Sequence, residues 1–312
     1  MEAMKRKKLG TLPMRTKKSL QIYALAVIPL LLVFIFNYVP MFGIIIAFKD
    51  YRFDLGIFGS RWVGLENFKV FLMSDDFARI AGNTLYLNAL FIAASTVCQV
   101  ALAMALFEVK KRGAVKFYQT VLITPHFLSW VVAGTMLYAF LHPSNGVVNH
   151  IVEAFGGTAV DWYSRPAAWP LILLICSVWK GLGMGSVVYY ANLMGISTEI
   201  FEAAHVDGAN KWQEIIHITV PQLVPLIIIQ TILAIGNIFR ADFGLFYQTT
   251  RDVGALYSTT DVMDTYIFRT MRVLGDTAIS SAAGVFQSIV GFVCVVTVNY
   301  IVNKIDSDRA LF

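Results

Sequence analysis

Side chains of the kinds that do covalent or metal chemistry are few in this sequence and lie far apart. No two of its histidines have the spacing of a metal site, since they stand at His126, His142, His150, His205 and His217. Its three cysteines lie singly within apolar runs, which argues against both zinc and a disulfide framework. No G-x-x-x-x-G-K-S/T loop is present to cradle nucleotide phosphates. The sequence therefore predicts a chain that is not an enzyme and that holds neither cofactor nor metal.

One charged residue stands inside an apolar run. Lys180 lies midway along residues 168–193, which hold no other charge. A cation at this depth in a bilayer is costly, so it marks either a ligand contact or a structural partner. Two interpretations stay open: Lys180 attracts a carboxylate on a ligand, or it pairs within the helix bundle or with another subunit. The glycines that follow it are expected to let neighbouring helices approach closely: Gly181, Gly183 and Gly185.

A longer polar stretch separates two of the apolar runs. Residues 196–221 are too many for a simple connection between packed helices, which takes about 2–8 residues. Ser197 or Thr198 can cap a helix at its start. Gly208 supplies the left-handed conformation that ends such a helix. The pattern predicts two short helices around a turn, the second over 209–218, before a membrane span that opens at its proline.

The first of these short helices is predicted to have an apolar stripe and an acidic face. The acidic residues are Glu199, Glu202 and Asp207. A helix that rests on lipid headgroups is normally rich in Lys and Arg, and anionic headgroups would repel carboxylates. A half-apolar, half-acidic helix instead suits a groove on a partner protein. We therefore predict protein docking, with an interfacial helix as the alternative.

The elements that position these groups are long apolar segments. The chain is 57% hydrophobic and 14% charged, whereas a soluble domain carries about 25% charged residues. Uncharged or nearly uncharged runs of about 20 residues predict six transmembrane helices. Their expected ranges are 22–48, 83–107, 118–141, 168–193, 221–239 and 281–302. The predicted fold is all-α and polytopic, with a basic tail over 1–21, a membrane domain over 22–303 and a C-terminal tail over 304–312.

Basic residues collect at the ends of the apolar runs rather than in a stripe, which argues against nucleic-acid binding. Seven of the 25 Lys and Arg residues fall within residues 1–21, directly ahead of the first run. Positive charge tends to stay on the cytoplasmic side, and the charges beside the first span usually dominate. We therefore predict a multi-pass protein of the plasma (inner) membrane with both termini in the cytoplasm.

Residues 196–221 also carry a recognisable motif. Glu202-Ala203-Ala204, then Asp207-Gly208-Ala209, then Ile218 and Pro221 closely resemble the EAA loop of binding-protein-dependent ABC importer permeases. Residues 196–221 are called the EAA segment below. The resemblance implies the type I ABC importer fold and a coupling helix that sits in a cleft of an ATPase subunit. The residues it assigns to that coupling are Glu199, Phe201, Glu202, Ala203, Ala204, Asp207 and Gly208. The proline that often precedes this helix in the family is replaced by Ser197-Thr198.

The resemblance covers nearly the whole chain. Residues 48–51 and 62–68 look like the first external loop of the carbohydrate-uptake branch. Residues 265–269 and 282–288, with Asn299 and Lys304, resemble permeases for oligosaccharides and polysaccharide fragments such as alginate or pectin pieces. In that branch sugar is contacted near the fourth and fifth spans. The implied substrate path runs along Trp179, Lys180, Gly181, Met184 and Asn237.

The resemblance also implies partners. These are a second homologous permease, two cytoplasmic ATPase subunits that bind ATP and Mg, and an extracytoplasmic solute-binding protein that delivers the oligosaccharide. Membrane lipid surrounds the assembly. The alternative function is an ion-coupled secondary transporter, which would need buried carboxylates as ion sites. The six predicted spans contain no Asp or Glu.

Overall fold

The structure is a computed structural model that describes residues 14–305. Residues 1–13 of the predicted basic tail and 306–312 of the predicted C-terminal tail lie outside the described residues. Its α-helices are α1 (Met14–Val33), α2 (Gly56–Gly59), α3 (Glu66–Leu72), α4 (Asp75–Phe107), α5 (Arg112–Ile123), α6 (Trp130–Leu141), α7 (Val147–Ala154), α8 (Trp169–Leu193), α9 (Thr198–Val206), α10 (Lys211–Glu214), α11 (Val220–Gly236), α12 (Phe243–Thr250), α13 (Tyr257–Thr260), α14 (Met263–Arg272) and α15 (Thr277–Ile305). A two-stranded antiparallel sheet joins β1 (Lys49–Asp50) to β2 (Arg61–Trp62).

Five helical stretches of the described chain are long and apolar enough to cross a membrane, in agreement with the all-α prediction. They are Tyr23–Phe48, Asp75–Phe107, Pro166–Leu193, Lys211–Gly236 and Thr277–Lys304. The first continues α1 through a π turn (Phe34–Tyr38) and a 3₁₀ segment (Val39–Phe48). Six spans result if one bent pair of helices counts as a span.

The third predicted span, 118–141, is not a continuous helix. It consists of Arg112–Phe127 and Trp130–Leu141, which meet at an angle of 95°. A 3₁₀ turn with Pro125 near its start ends the first half, and Ser129 caps the second by accepting a hydrogen bond from Val132 N at 3.3 Å. The prediction of an unbroken helix here was wrong, because a proline and a new N-cap lie four residues apart.

The fifth span begins earlier than predicted. Asn210 and Gln213 form a reciprocal capping box that starts a helix at α10, and a π turn (Ile215–Thr219) joins α10 to α11 without a break. Val220 N donates to Ile215 O, five residues back. The separate short helix predicted over 209–218 is therefore the first part of this span, and its proline does not open the span. The π turn precedes Pro221, where a wider turn accommodates a missing N–H.

Glycines allow the closest helix contacts in the bundle, as predicted. The most extensive packing joins α4 to α8. A Cβ on Gly185 would collide with the side chain of Gln99 on α4, and one on Gly183 would collide with the backbone of Leu122 on α5. Because lipid provides no hydrophobic drive between helices, such small residues supply the close packing that holds the spans together.

Candidate functional site

The first helix of the EAA segment forms as its sequence predicts. Ser197 is the N-cap of α9, and its Oγ accepts a hydrogen bond from Glu199 N at 3.3 Å. The helix ends at Gly208, which has a φ of +78°, so the predicted left-handed conformation is confirmed. Ala209 N then donates to Ala204 O at 2.9 Å and closes the helix terminus.

The residues predicted to couple to an ATPase divide between two faces of α9. Phe201 and Ala204 are half-buried, and the Phe201 ring centroid lies 5.8 Å from that of Phe107 at the end of α4. The exposed residues of the set are Glu199, Glu202, Ala203, Asp207 and Gly208. Exposed apolar side chains extend this surface at Ile200, Val206 and Trp212. The outer face therefore combines carboxylates with uncovered apolar groups, as a docking surface requires.

A cluster of charged side chains braces α9 against the bundle. The Glu214 carboxylate is buried, with its oxygens 2.8 Å from Lys211 Nζ and 3.1 Å from His205 Nδ1. Lys211 Nζ also lies 2.8 Å from an oxygen of Glu108, just beyond the end of α4. The sequence analysis missed this cluster, although the i, i+3 spacing of Lys211 and Glu214 was a visible signal. The cluster thereby connects α9 to the end of the second span and to the start of the fifth.

Lys180 lies at the break in the bent span. Its Nζ donates to His126 O at 2.8 Å and to Leu128 O, and it lies 5.2 Å from the centroid of the Trp130 ring. These carbonyls belong to the junction where the 95° bend leaves backbone groups without helical partners. Within a membrane such groups must be satisfied by the protein itself. The lysine therefore makes interhelical contacts inside the chain, of the structural kind that the sequence left open.

The other residues of the predicted substrate path do not share one cavity with Lys180. Trp179 is 41% exposed and lines an apolar cavity of 360 Å³ between α6 and α8. Met184 is exposed on the surface of α8, and the Cβ position of Gly181 is 4.0 Å from Gln99 Nε2. Asn237 is exposed beyond the end of α11, where its Nδ2 donates to Leu233 O at 3.2 Å. These residues thus lie at several points along the fourth and fifth spans.

A more polar cavity lies where α4, α8 and α11 meet. Its volume is 280 Å³, and its polar lining consists of Ser95, Thr96, Gln99, Tyr189 and Gln230. These residues come from three separate apolar runs of the sequence, and the packing of the spans brings them together. Amide and hydroxyl groups in a mostly apolar cavity are suited to hydrogen bonding with a polar solute.

The opposite end of the bundle is built around a buried ion-pair network. The Asp261 side chain is fully buried and receives two 2.8 Å hydrogen bonds from Arg269 Nη2 and one of 3.1 Å from Arg79 Nη2. Arg269 also contacts Asp252 at 3.0 Å. Burial lowers the pKa of Arg269, but the hydrogen bonds and charge of Asp261 outweigh it and raise that pKa. The network fixes residues 237–276, called the opposite-end segment below, onto the start of α4.

Comparison with known proteins agrees with this architecture. Residues 21–307 match the family model described as "Binding-protein-dependent transport system inner membrane component". Protein LplB of Bacillus subtilis (strain 168) is 34% identical, with 94% of this chain and 91% of that protein covered. The polygalacturonan/rhamnogalacturonan transport system permease protein YteP of the same strain is 32% identical, covering 86% of this chain and 84% of that protein.

A solved structure has the same fold over nearly its full length. It is a crystal structure of a bacterial ABC transporter involved in the import of the acidic polysaccharide alginate. The match has a TM-score of 0.84 and 32% identity, and it covers 93% of this chain and 97% of the other. The fold, the family model and the relatives agree with the resemblance that the EAA segment carries. The chain therefore belongs to the inner membrane components of binding-protein-dependent transport systems and is an ABC importer permease.

Proposed function

We propose that this chain is a pore-forming permease of an ATP-driven importer of oligosaccharides derived from acidic polysaccharides. The observation that carries the proposal is the full-length similarity to a permease chain from the alginate importer, at a TM-score of 0.84. The name of YteP refers to polygalacturonan and rhamnogalacturonan, which are also acidic polymers. The descriptions of these two relatives mention different acidic polysaccharides. They therefore support acidic oligosaccharides as the class of cargo and do not select one sugar.

In this proposal the outer face of α9 docks into a cleft of an ATPase subunit. ATP and Mg bind to that subunit, and hydrolysis takes place there rather than in this chain. Closure of the ATPases moves α9, and the contacts of Glu214 with Lys211 and His205 carry the motion into the fifth span. The contact between Lys211 and Glu108 carries it into the second span. Small shifts at one site become rearrangements of packed helices in this way.

The same proposal describes the other subunits of the transporter and the orientation of this chain. A second homologous permease faces this chain across the translocation path, and two ATPases lie beneath the pair. Both termini and the EAA segment face the cytoplasm, while the opposite-end segment and residues 49–82 meet an extracytoplasmic solute-binding protein. A solute-binding protein is present with the alginate transporter in a second solved structure, which matches this chain at a TM-score of 0.83. No comparison favours the ion-coupled alternative.

Reconstitution tests the proposal. The permease pair, the ATPases and the binding protein would be placed in proteoliposomes and offered labelled oligosaccharides of galacturonate, of mannuronate and guluronate, and of neutral hexoses. We expect ATP-dependent uptake of at least one acidic oligosaccharide. Uptake that follows an ion gradient without ATP, or that is confined to solutes other than sugars, would contradict the proposal.

A further inference from the structure

We propose that Arg251, Tyr138, Tyr247 and Gln248 form a subsite that binds the carboxylate-bearing ring of an acidic oligosaccharide. The inference rests on the proposed function and names which part of the cargo this chain recognises. The subsite lies between α6, the second half of the bent span, and α12 in the opposite-end segment. In the proposed orientation it is on the external side of the bundle.

The subsite is a preformed cavity of 290 Å³. Its main lining residues are Gly134, Thr135, Tyr138, Tyr247, Gln248 and Arg251. Gly134 brings the two helices into backbone contact, since a Cβ there would lie 2.6 Å from Gln248 O. The volume lies just below the range of about 300–1,000 Å³ for pockets that hold whole ligands, which suits one sugar ring rather than a whole chain.

Arg251 gives this cavity an available positive charge. Its guanidinium lies 4.1 Å from the centroid of the Tyr138 ring, and the side chain is exposed. Arg251 forms no ion pair within residues 14–305, whereas Arg79 and Arg269 at the same end of the bundle are both bound to Asp261. A guanidinium that stacks on a ring while its N–H groups stay unpaired can still bind a carboxylate with two parallel hydrogen bonds.

The backbone that presents Arg251 is strained and firmly held. Arg251 and Asp252 have φ values of +55° and +51°, in the left-handed region that non-glycine residues rarely occupy. Asp252 is fixed there by Arg269 Nη1 and by the Tyr257 hydroxyl, each 3.0 Å from its Oδ1. Strained conformations of this kind persist where the surroundings determine them, and they cluster at ligand sites. The strain here places an arginine over the cavity.

The remaining lining groups complement the rest of a sugar ring. Tyr138 and Tyr247 offer aromatic surface, and Gln248 and Thr135 offer an amide and a hydroxyl for hydrogen bonds to ring hydroxyls. Lys180, a cation near the start of α6, is already bound to two backbone carbonyls. Arg251 rather than Lys180 is therefore the residue suited to select acidic cargo.

The test compares a charged sugar with its uncharged ester. Proteoliposomes would contain the complete transporter with the wild-type chain, Arg251→Gln or Arg251→Lys. The measurement is the uptake of trigalacturonate, and separately of its methyl ester, from binding protein saturated with that sugar. We expect Arg251→Gln to lower kcat/KM for trigalacturonate about tenfold or more, because charge-assisted hydrogen bonds are lost. The ester should change less than about twofold, and Arg251→Lys should retain part of the activity. Arg165→Gln is the matched control, because Arg165 is an exposed arginine on the same side that lies outside the segments proposed to meet the binding protein.

A second measurement does not depend on delivery by the binding protein. Saturation-transfer NMR with the detergent-solubilised complex should show galacturonate binding to wild type and to Arg165→Gln, and binding about tenfold weaker to Arg251→Gln. Equal losses for acid and ester would overturn the inference and assign Arg251 to binding-protein docking or to folding. An unchanged Arg251→Gln would overturn it as well. A wild-type complex that carries neither sugar would instead contradict the proposed function.

Discussion

The two ends of the bundle use charge in opposite ways. In the EAA segment the carboxylates of α9 are exposed. The buried carboxylate behind them, Glu214, pairs with the half-exposed Lys211 three residues away in sequence, and Lys211 also contacts Glu108. In the opposite-end segment the central carboxylate, Asp261, is fully buried and is bound by Arg79 from 182 residues away. Locally braced, outward-facing charge suits a surface that docks and moves. Buried long-range pairs suit a platform that stays fixed while cargo passes.

The largest expected effect comes from breaking the fixed platform. Asp261→Ala leaves the guanidinium groups of Arg269 and Arg79 without their shared carboxylate. Removing one partner of a buried ion pair costs about 3–5 kcal/mol, so the variant should assemble poorly and have a clearly lower Tm in detergent. Asp54→Ala is the control, because Asp54 is paired with Arg52 but both side chains are mostly exposed, and its cost should be below about 1 kcal/mol. Equal Tm values for the two variants would contradict the proposal that the buried ion pairs of Asp261 hold this end of the bundle fixed.

Reversing a charge on the moving surface should act differently. Glu202→Lys should leave folding intact, because the side chain is exposed, yet weaken ATPase docking by about 1–3 kcal/mol if a basic group faces it in the cleft. Co-purification of the ATPase and substrate-stimulated hydrolysis are the measurements. Glu153→Lys, an exposed carboxylate on the proposed external side, serves as the control. Normal values for both readouts in Glu202→Lys would exclude this residue from the coupling surface.

A third variant tests the end of α9 by itself. The Cβ position of Gly208 has no atom within 4 Å, so any effect of Gly208→Val comes from its φ of +78°. A β-branched residue in that conformation costs about 1–3 kcal/mol and misdirects the chain into α10. Transport should fall while membrane insertion stays normal, and Gly208→Asn should be milder, because asparagine tolerates the left-handed region. Wild-type transport by Gly208→Val would show that the turn geometry is not needed.

The last prediction concerns Lys180, between the two ends. Lys180→Met removes the donor to His126 O and Leu128 O, at a cost of about 1–3 kcal/mol for unsatisfied carbonyls. The bend should loosen, and uptake of acidic and neutral sugars should fall to the same extent. Lys180→Arg, which keeps charge and donors, should be closer to wild type. A loss confined to acidic sugars, at unchanged Tm, would return Lys180 to a direct role with cargo.

The features that the sequence by itself determined depend on neighbours within a few residues. Six apolar runs predict the spans because burial in lipid needs only length and low charge. Ser197 and Gly208 predict both ends of α9 because a cap and a left-handed terminus are local. The EAA motif is likewise a short, contiguous pattern. The structure bears out the all-α fold and both ends of α9, and the family model and the relatives bear out the permease family.

Tertiary structure decided the features in which distant residues meet. Pro125 and Pro225 both lie in apolar runs, yet the chain breaks by 95° after the first and continues as one helix through the second. Lys180, 55 residues beyond Pro125, supplies the donors that the broken helix needs. Arg251 belongs to no motif of the sequence, and only the packing of α6 against α12 forms the cavity beside it. Sequence periodicity assigns a residue to a face of its own helix, but the contact between two helices depends on their relative rotation and height, which packing alone sets.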